Sequence, residues 1–220
     1  MTKPIPPELL TSIREHQRWL ETSKKDGQQL LLQGVDLHDL DLSGCDLAMG
    51  VLSHVRLDMA LLYAADLNRA DLYECSLVQT MMDDTQLIKA NATRCNFSEA
   101  SLRRVQGIST TFYKSNLRNA NLEDGNFYDV DFQKTNLEGA NFNNANLRKA
   151  YLVKAHLAHA TLTGAQVEGT TFTGATGIET VEVEWLDIGS EKTPQLLVGE
   201  QAKDWLMTAV KEQTKEETSS

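Results

Sequence analysis

Cysteine is scarce in this chain of 220 residues, and its three copies, Cys45, Cys75 and Cys95, are an odd and widely spaced set. That speaks against a secreted disulfide framework and for free, buried thiols. Long apolar runs are missing as well: none approaches the roughly 20 residues that a membrane span needs. The opening stretch MTKPIPPELL lacks the basic-then-apolar layout of a secretory signal, so the cytoplasm is the expected compartment and no membrane is expected as a partner. Positive charge is in deficit. A formal net charge of -10 argues against a general nucleic-acid or anionic-membrane binder, because such partners are held by excess Lys and Arg. Cysteines and histidines are too few for a closed zinc site of familiar spacing, and no Gly-rich phosphate loop is followed by a Lys. No cofactor is expected.

What is present is a period of five. Every fifth residue from Leu32 to Phe172 gives 29 positions, of which Leu holds 19 and Phe six; Met82, Ala92, Gly107 and Val167 are the exceptions. Two places before most of the large residues stands a small one, as at Cys45, Ala65, Ala90, Ala120 and Ala165, and the site between is Asp or Asn in 14 of the 29 repeats. A helix repeats near 3.6 residues and a strand at 2, so neither holds this register. A chain that turns a corner at every repeat does, because each five-residue unit then points its large side chain at one shared interior. That is a solenoid.

Units such as Ala65-Asp66-Leu67, Ala70-Asp71-Leu72, Ala120-Asn121-Leu122 and Ala140-Asn141-Phe142 resemble the pentapeptide-repeat family. The resemblance implies an all-β solenoid, a right-handed quadrilateral parallel β-helix in which four units make one coil of 20 residues. The repeats then form about seven coils, a rod on the order of 34 Å long at strand-like spacing. Asn and Asp are expected to suit the tight corners, since they tolerate turn conformations and bond their own backbone. Gly107 puts a gap in the interior, to be met by a small void, a local collapse or a bulge that turns Ile108 inward, and Ala92 weakens the same neighbourhood.

Open coil ends expose strand-like edges, so both ends need covers. Residues 1–29 are expected to form a capping helix and loop, with Leu9, Leu10, Ile13, Gln17 and Leu20 mostly on one face. Residues 30–176 form the β-helix. Residues 177–213 are expected to be a strand-helix cap in which Val181, Val183 and Trp185 alternate and Ala202, Trp205, Leu206, Ala209 and Val210 share a helix face, and 214–220 a frayed tail. Capped ends imply a monomer, with a dimer through the carboxy-terminal unit as the alternative.

A coil of 20 aligns residues into surface columns. Arg94, Lys114, Lys134 and Lys154 make a cationic ladder above Glu74; Ile88, Ile108 and Tyr128 make an apolar column; Asn96, Asn116 and Asn136 make an amide column suited to stacking. His156 and His159 lack the helical geometry that aligns metal ligands, so no metal site is assigned. Cys75 and Cys95 stack as thiols, and Arg103-Arg104 lies between Asp83-Asp84 and Glu123-Asp124 as charge compensation, not as part of an acid-base pair. No catalytic residue is assigned. The expected function is a non-enzymatic protein-interaction scaffold with an unknown protein partner. The alternative comes from the resemblance: a DNA-mimicking modulator of DNA gyrase or a related topoisomerase. Against it, residues 30–175 carry 17 acidic and 12 basic side chains, so half of the net charge of -10 lies outside the rod.

Overall fold

The computed structural model describes residues 3–218. Each five-residue unit contributes one bridged residue, and its parallel partner lies 20 residues further on, from Leu31 with Val51 to His156 with Thr176. Every face is thus one rung wide, too short to be a named strand. Coil-to-coil hydrogen bonds repeat in step: Leu62 N–H donates to Met81 O at 2.8 Å and Met81 N–H to Ala60 O at 3.0 Å.

The large residue and the small one before it both face inward. Leu52, Leu62, Phe97, Phe112, Phe132 and Phe142 are buried, as are Ala65, Ala90 and Ala120. Small inward positions that carry a polar atom satisfy it on the carbonyl 23 residues back: Thr85 to Leu62 at 2.7 Å, Thr135 to Phe112 at 2.8 Å and Ser115 to Ala92 at 2.7 Å. Thr therefore substitutes for Ala inside without an orphaned hydroxyl.

At the corners Asp and Asn bond their own backbone as expected, but from a different position. Asp and Asn occupy the bridged position, not the left-handed turn residue, and span the corner from outside: Asp66 Oδ1 accepts from Asn68 N–H at 2.8 Å and Asn141 Oδ1 from Asn143 N–H at 3.0 Å. The left-handed residue comes three places later and is of almost any type, as at Arg69 (φ 57°), Lys89 (58°), Lys114 (59°) and Lys134 (58°). The coil ladder fixes this turn strongly enough to carry the strain of positive φ at non-glycine residues.

Gly107 leaves no bulge. A Cβ there would lie 2.8 Å from Phe127 Cδ1, so the ring one coil on already fills the space, and Ile108 keeps its outward turn position. Phe127 and Phe112 belong to a continuous aromatic stack that runs through Phe132 and Phe142, with Phe112 and Phe132 5.1 Å apart.

Helix α1 (Pro7–Glu21) begins with proline in its first turn and buries Leu9, Ile13 and His16. Its buried stripe is thus narrower than expected: Leu10, Gln17 and Leu20 are only partly covered. His16 was not foreseen. Leu30 N–H donates to its Nδ1 at 3.0 Å, which leaves Nε2–H to donate to Ala48 O at 2.9 Å and ties α1 to the first coil as a neutral imidazole.

The solenoid continues past residue 176. One residue slips at the 3-10 turn Ile178–Thr180, after which Thr161 pairs with Glu182 and Gln166 with Asp187. Strand β1 (Trp185–Asp187) is therefore part of the coil, and Val181 and Leu186, five residues apart, are both buried; Val183 and Trp185 alternate as half-buried residues with the exposed Glu182 and Glu184, as expected. Strand β2 (Leu196–Val198) pairs antiparallel to β1 with Leu186 opposite Leu197. Helix α2 (Glu200–Thr218) buries Ala202 and Leu206 and brings Trp205 edge-on to Phe172. It extends through most of the segment expected to fray; residues 219 and 220 lie outside the described residues. Among the described residues no helix is long and apolar enough to cross a membrane.

Two outcomes follow from this packing. Phe132→Ala removes a ring from the aromatic stack and should cost about 3–5 kcal/mol, while Lys134→Ala, two residues away and exposed, should change stability by a few tenths at most, about 0.5 kcal/mol; urea unfolding midpoints measure both. His16 has its pKa lowered from 6.5, chiefly by burial, with the Ala48 hydrogen bond and the charge of Asp46 opposing. A native pKa below the unfolded one means that the unfolded chain takes up the proton first. Stability should be flat above about pH 6.5 and fall as the pH drops below it, and His16→Asn should flatten that slope.

Candidate functional site

Arg94, Lys114, Lys134 and Lys154 stand one above another on a single corner, each exposed at the left-handed turn position. Arg94 is neutralised: its Nε lies 2.8 Å from Glu74 Oε1, and His54 Nε2 approaches the other oxygen of Glu74 at 3.1 Å. The lysines are not. Lys114 and Lys134 place their ammonium groups 5.1 and 5.4 Å from the centroid of the Tyr113 ring, and Lys134 Nζ donates to the Tyr113 hydroxyl at 3.1 Å. That hydrogen bond, with the charges of both lysines, holds the Tyr113 hydroxyl below its ordinary pKa. Among the described residues no carboxylate lies within 4.0 Å of Lys114, Lys134 or Lys154.

The apolar column is less open than its sequence suggests. Ile88, Ile108 and Tyr128 sit at the first turn position and are half-buried. Among the described residues the exposed large apolar side chains lie elsewhere, at Leu31, Val35, Met59, Tyr63, Tyr151, Leu196 and Val198. Ile108 and Tyr128 instead line a groove of about 480 Å³ whose far wall is the carboxy-terminal segment, through Asp187, Glu191 and Pro194. At its end Arg148, one coil beyond Tyr128 in the same column, is nearly buried. Its Nη2 donates to Asp187 Oδ2 at 2.9 Å, Nη1 donates to Gln166 Oε1, and the Gly189 carbonyl lies 3.4 Å from both Nε and Nη2. Asp187 Oδ1 in turn accepts from Gly189 and Gln195 N–H at 3.0 and 2.9 Å.

The amide column stacks as ladders do, with Asn116 Nδ2 donating to Asn96 Oδ1 at 3.1 Å. The acidic and basic pairs meet across coils: Arg104 clamps Asp84 with two bonds of 2.7 Å, and Arg103 Nε lies 3.4 Å from Glu123 Oε2. His156 turns to Thr176 Oγ1 at 3.0 Å, and among the described residues no group of three His, Cys, Asp or Glu is placed to hold a metal ion. The cysteines are free thiols. Burial pushes the Cys75 thiol up to about 12 and that of Cys95 well above its ordinary range, and each donates inward to a backbone carbonyl, of Leu52 and Leu72.

A family model described as a pentapeptide repeat region matches residues 93–172. That segment is a pentapeptide repeat region. Among solved structures the chain is similar to a trypsin-treated form of QnrB1, a plasmid-mediated fluoroquinolone resistance protein, with a TM-score of 0.53 at 16% identity over 70% of this chain and 78% of that one. It is also similar to HetL, a pentapeptide repeat protein involved in heterocyst differentiation regulation in the cyanobacterium Nostoc sp. strain PCC 7120, at 19% identity over 81% and 97% of the two chains, with a TM-score of 0.24. No curated protein matches significantly. At 16% identity the likeness to QnrB1 speaks to the fold alone.

The residue of this site that sequence reading passed over is Arg148. Extending the Ile88, Ile108 and Tyr128 column by one more step of 20 would have found it. Removing one partner of a nearly buried ion pair strands the other charge, so Arg148→Ala should cost about 3–5 kcal/mol and speed hydrogen exchange across 188–195. Arg118→Ala, which breaks the exposed pair with Glu138, should stay within about 1 kcal/mol.

Proposed function

We propose that this protein is a non-enzymatic protein-interaction scaffold that binds an acidic partner along the Arg94, Lys114, Lys134 and Lys154 corner, with the groove beside Ile108 and Tyr128 as a second contact. The observation that carries this reading is the state of Lys114, Lys134 and Lys154, which lie in register on a rigid rod with no carboxylate within 4.0 Å among the described residues. Like charges so stacked repel one another at a cost that an anionic ligand relieves. In this reading the rod has about seven coils. Helix α1 and the β2–α2 unit act as end covers, and the protein is a cytoplasmic monomer. The competing arrangement is a dimer through the outer edge of β2, where Leu196 and Val198 are exposed at 57% and 63%.

The fold likeness to QnrB1 keeps a second reading in play, in which the rod imitates DNA before a topoisomerase. The basic corner opposes it, because a phosphate mimic needs negative columns there. Charge reversal separates the two. With Lys114→Glu and Lys134→Glu combined, a scaffold should lose an acidic partner mainly through slower association, with the deficit shrinking as salt rises. A DNA mimic should inhibit gyrase supercoiling as well as before or better. Potent inhibition by the unaltered protein at micromolar concentration would overturn the scaffold reading.

A further inference from the structure

The cations of the rod divide cleanly by partner. Arg56, Arg94, Arg103, Arg104, Arg118 and Arg148 each meet a carboxylate within 4.0 Å. Arg69, Lys89, Lys114, Lys134, Lys149 and Lys154 meet none among the described residues. All six of these stand at left-handed turn positions on two corners, and the two corners bound the same face. Within one coil the chain runs from Lys89 through the bridged Asn91 to Arg94, and two coils away from Asp129 through Asp131 to Lys134. The face between them carries Asp71, Asn91, Thr111, Asp131 and, exposed at 43%, Tyr151.

We infer that this face is the docking site for an acidic α-helix of a partner protein, lying along the rod between two cationic rails. The inference rests on the scaffold reading and names the partner's chemistry. Dimensions favour a helix. Opposite sheets of a solenoid pack about 10 Å apart, so one face is about as wide as a helix, whose diameter is about 10–12 Å. The coils from Arg69 to Lys149 span four steps of about 4.8 Å, or roughly 19 Å, the length of about 13 helical residues. The carboxylates are already engaged: within the face Asp71 Oδ1 accepts from Asn91 Nδ2 at 2.8 Å and Asp131 Oδ1 from Gln133 N–H at 2.8 Å, and on the corner, where Ser109 and Asp129 separate Lys89 from Lys149, Asp129 Oδ2 accepts from Ser109 Oγ at 2.9 Å. They call for a neutral or basic central stripe on the helix, with Asp or Glu on both flanks. A nucleic acid fits less well. Its charge repeats far beyond 19 Å, and beyond this face it meets a chain whose net charge is -10.

The test is fluorescence anisotropy with a labelled, helix-stapled 14-residue probe peptide bearing Glu on two flanks and Gln in the central stripe. Three variants are compared: Lys114→Glu with Lys134→Glu, Lys89→Glu with Lys149→Glu, and Lys24→Glu on the α1 loop as control. Binding should weaken about tenfold for each rail pair, more in low than in high salt, and stay unchanged for the control. Unfolding midpoints establish that the variants are folded. Loss confined to one rail, equal binding of a peptide with Gln in place of every Glu, or tighter binding of a single-stranded oligonucleotide would each overturn the proposal. A lysate partner that survives reversal of both rails would overturn this face while leaving the scaffold reading intact.

Discussion

The structure depends on one closure condition: after 20 residues the backbone must return to its own direction, one strand spacing higher. Only then does Leu62 N–H find Met81 O and Met81 N–H find Ala60 O, and the same exchange recurs around each coil. These bonds are made by the main chain and ask nothing of side-chain identity. The side chains must only avoid spoiling the return, with one large group filling each face and one small group beside each corner. Where the large residue is missing, as at Gly107, a larger neighbour restores the volume. Phe127 does so from the next coil, so the path stays in register without a bulge.

Because the ladder fixes the corners, it also frees them. A left-handed residue would ordinarily be glycine or asparagine, yet Arg69, Met59, Glu99 and His159 all hold positive φ here. Strain at each is met by the hydrogen bonds of the flanking rungs, and the side chain itself is left outside, unconstrained by packing. Surface chemistry can then vary column by column without touching the core. This is why charge on the rod is a question of columns: Arg104 is clamped by Asp84 on one corner, whereas Lys114 and Lys134 have only the ring and hydroxyl of Tyr113 between them on another.

The central register was fully legible, since Leu37, Leu57, Phe97 and Phe142 are inside where a count by fives puts them. So were the cationic column and the inward thiols. Three things were not, for physical reasons. His16 is held by Leu30 and Ala48, 14 and 32 residues away, and no local pattern announces a histidine whose two nitrogens are both spent on backbone. Arg148 itself is one step of 20 beyond Tyr128, but its pairing was not legible, because a one-residue slip at Ile178–Thr180 moves its partner Asp187 out of the 20-residue frame. The exposure of Ile88, Ile108 and Tyr128 was overread, because a column shows which residues align and not how deeply each turn position is shielded.

That same slip has a structural consequence. In strict register the residue paired with Gln166 would be Leu186; after the slip it is Asp187, and Leu186 turns inward to become part of the core. Asp187 can then hold Arg148 with one oxygen and the Gly189 and Gln195 amides with the other. A single inserted residue thus converts the end of a repetitive column into an anchor for the irregular segment that follows. The anchored segment, through Glu191 and Pro194, closes the groove over Ile108 and Tyr128. An apolar column that is only half-exposed therefore gains a second wall, and the groove exists only where the repeat stops being regular.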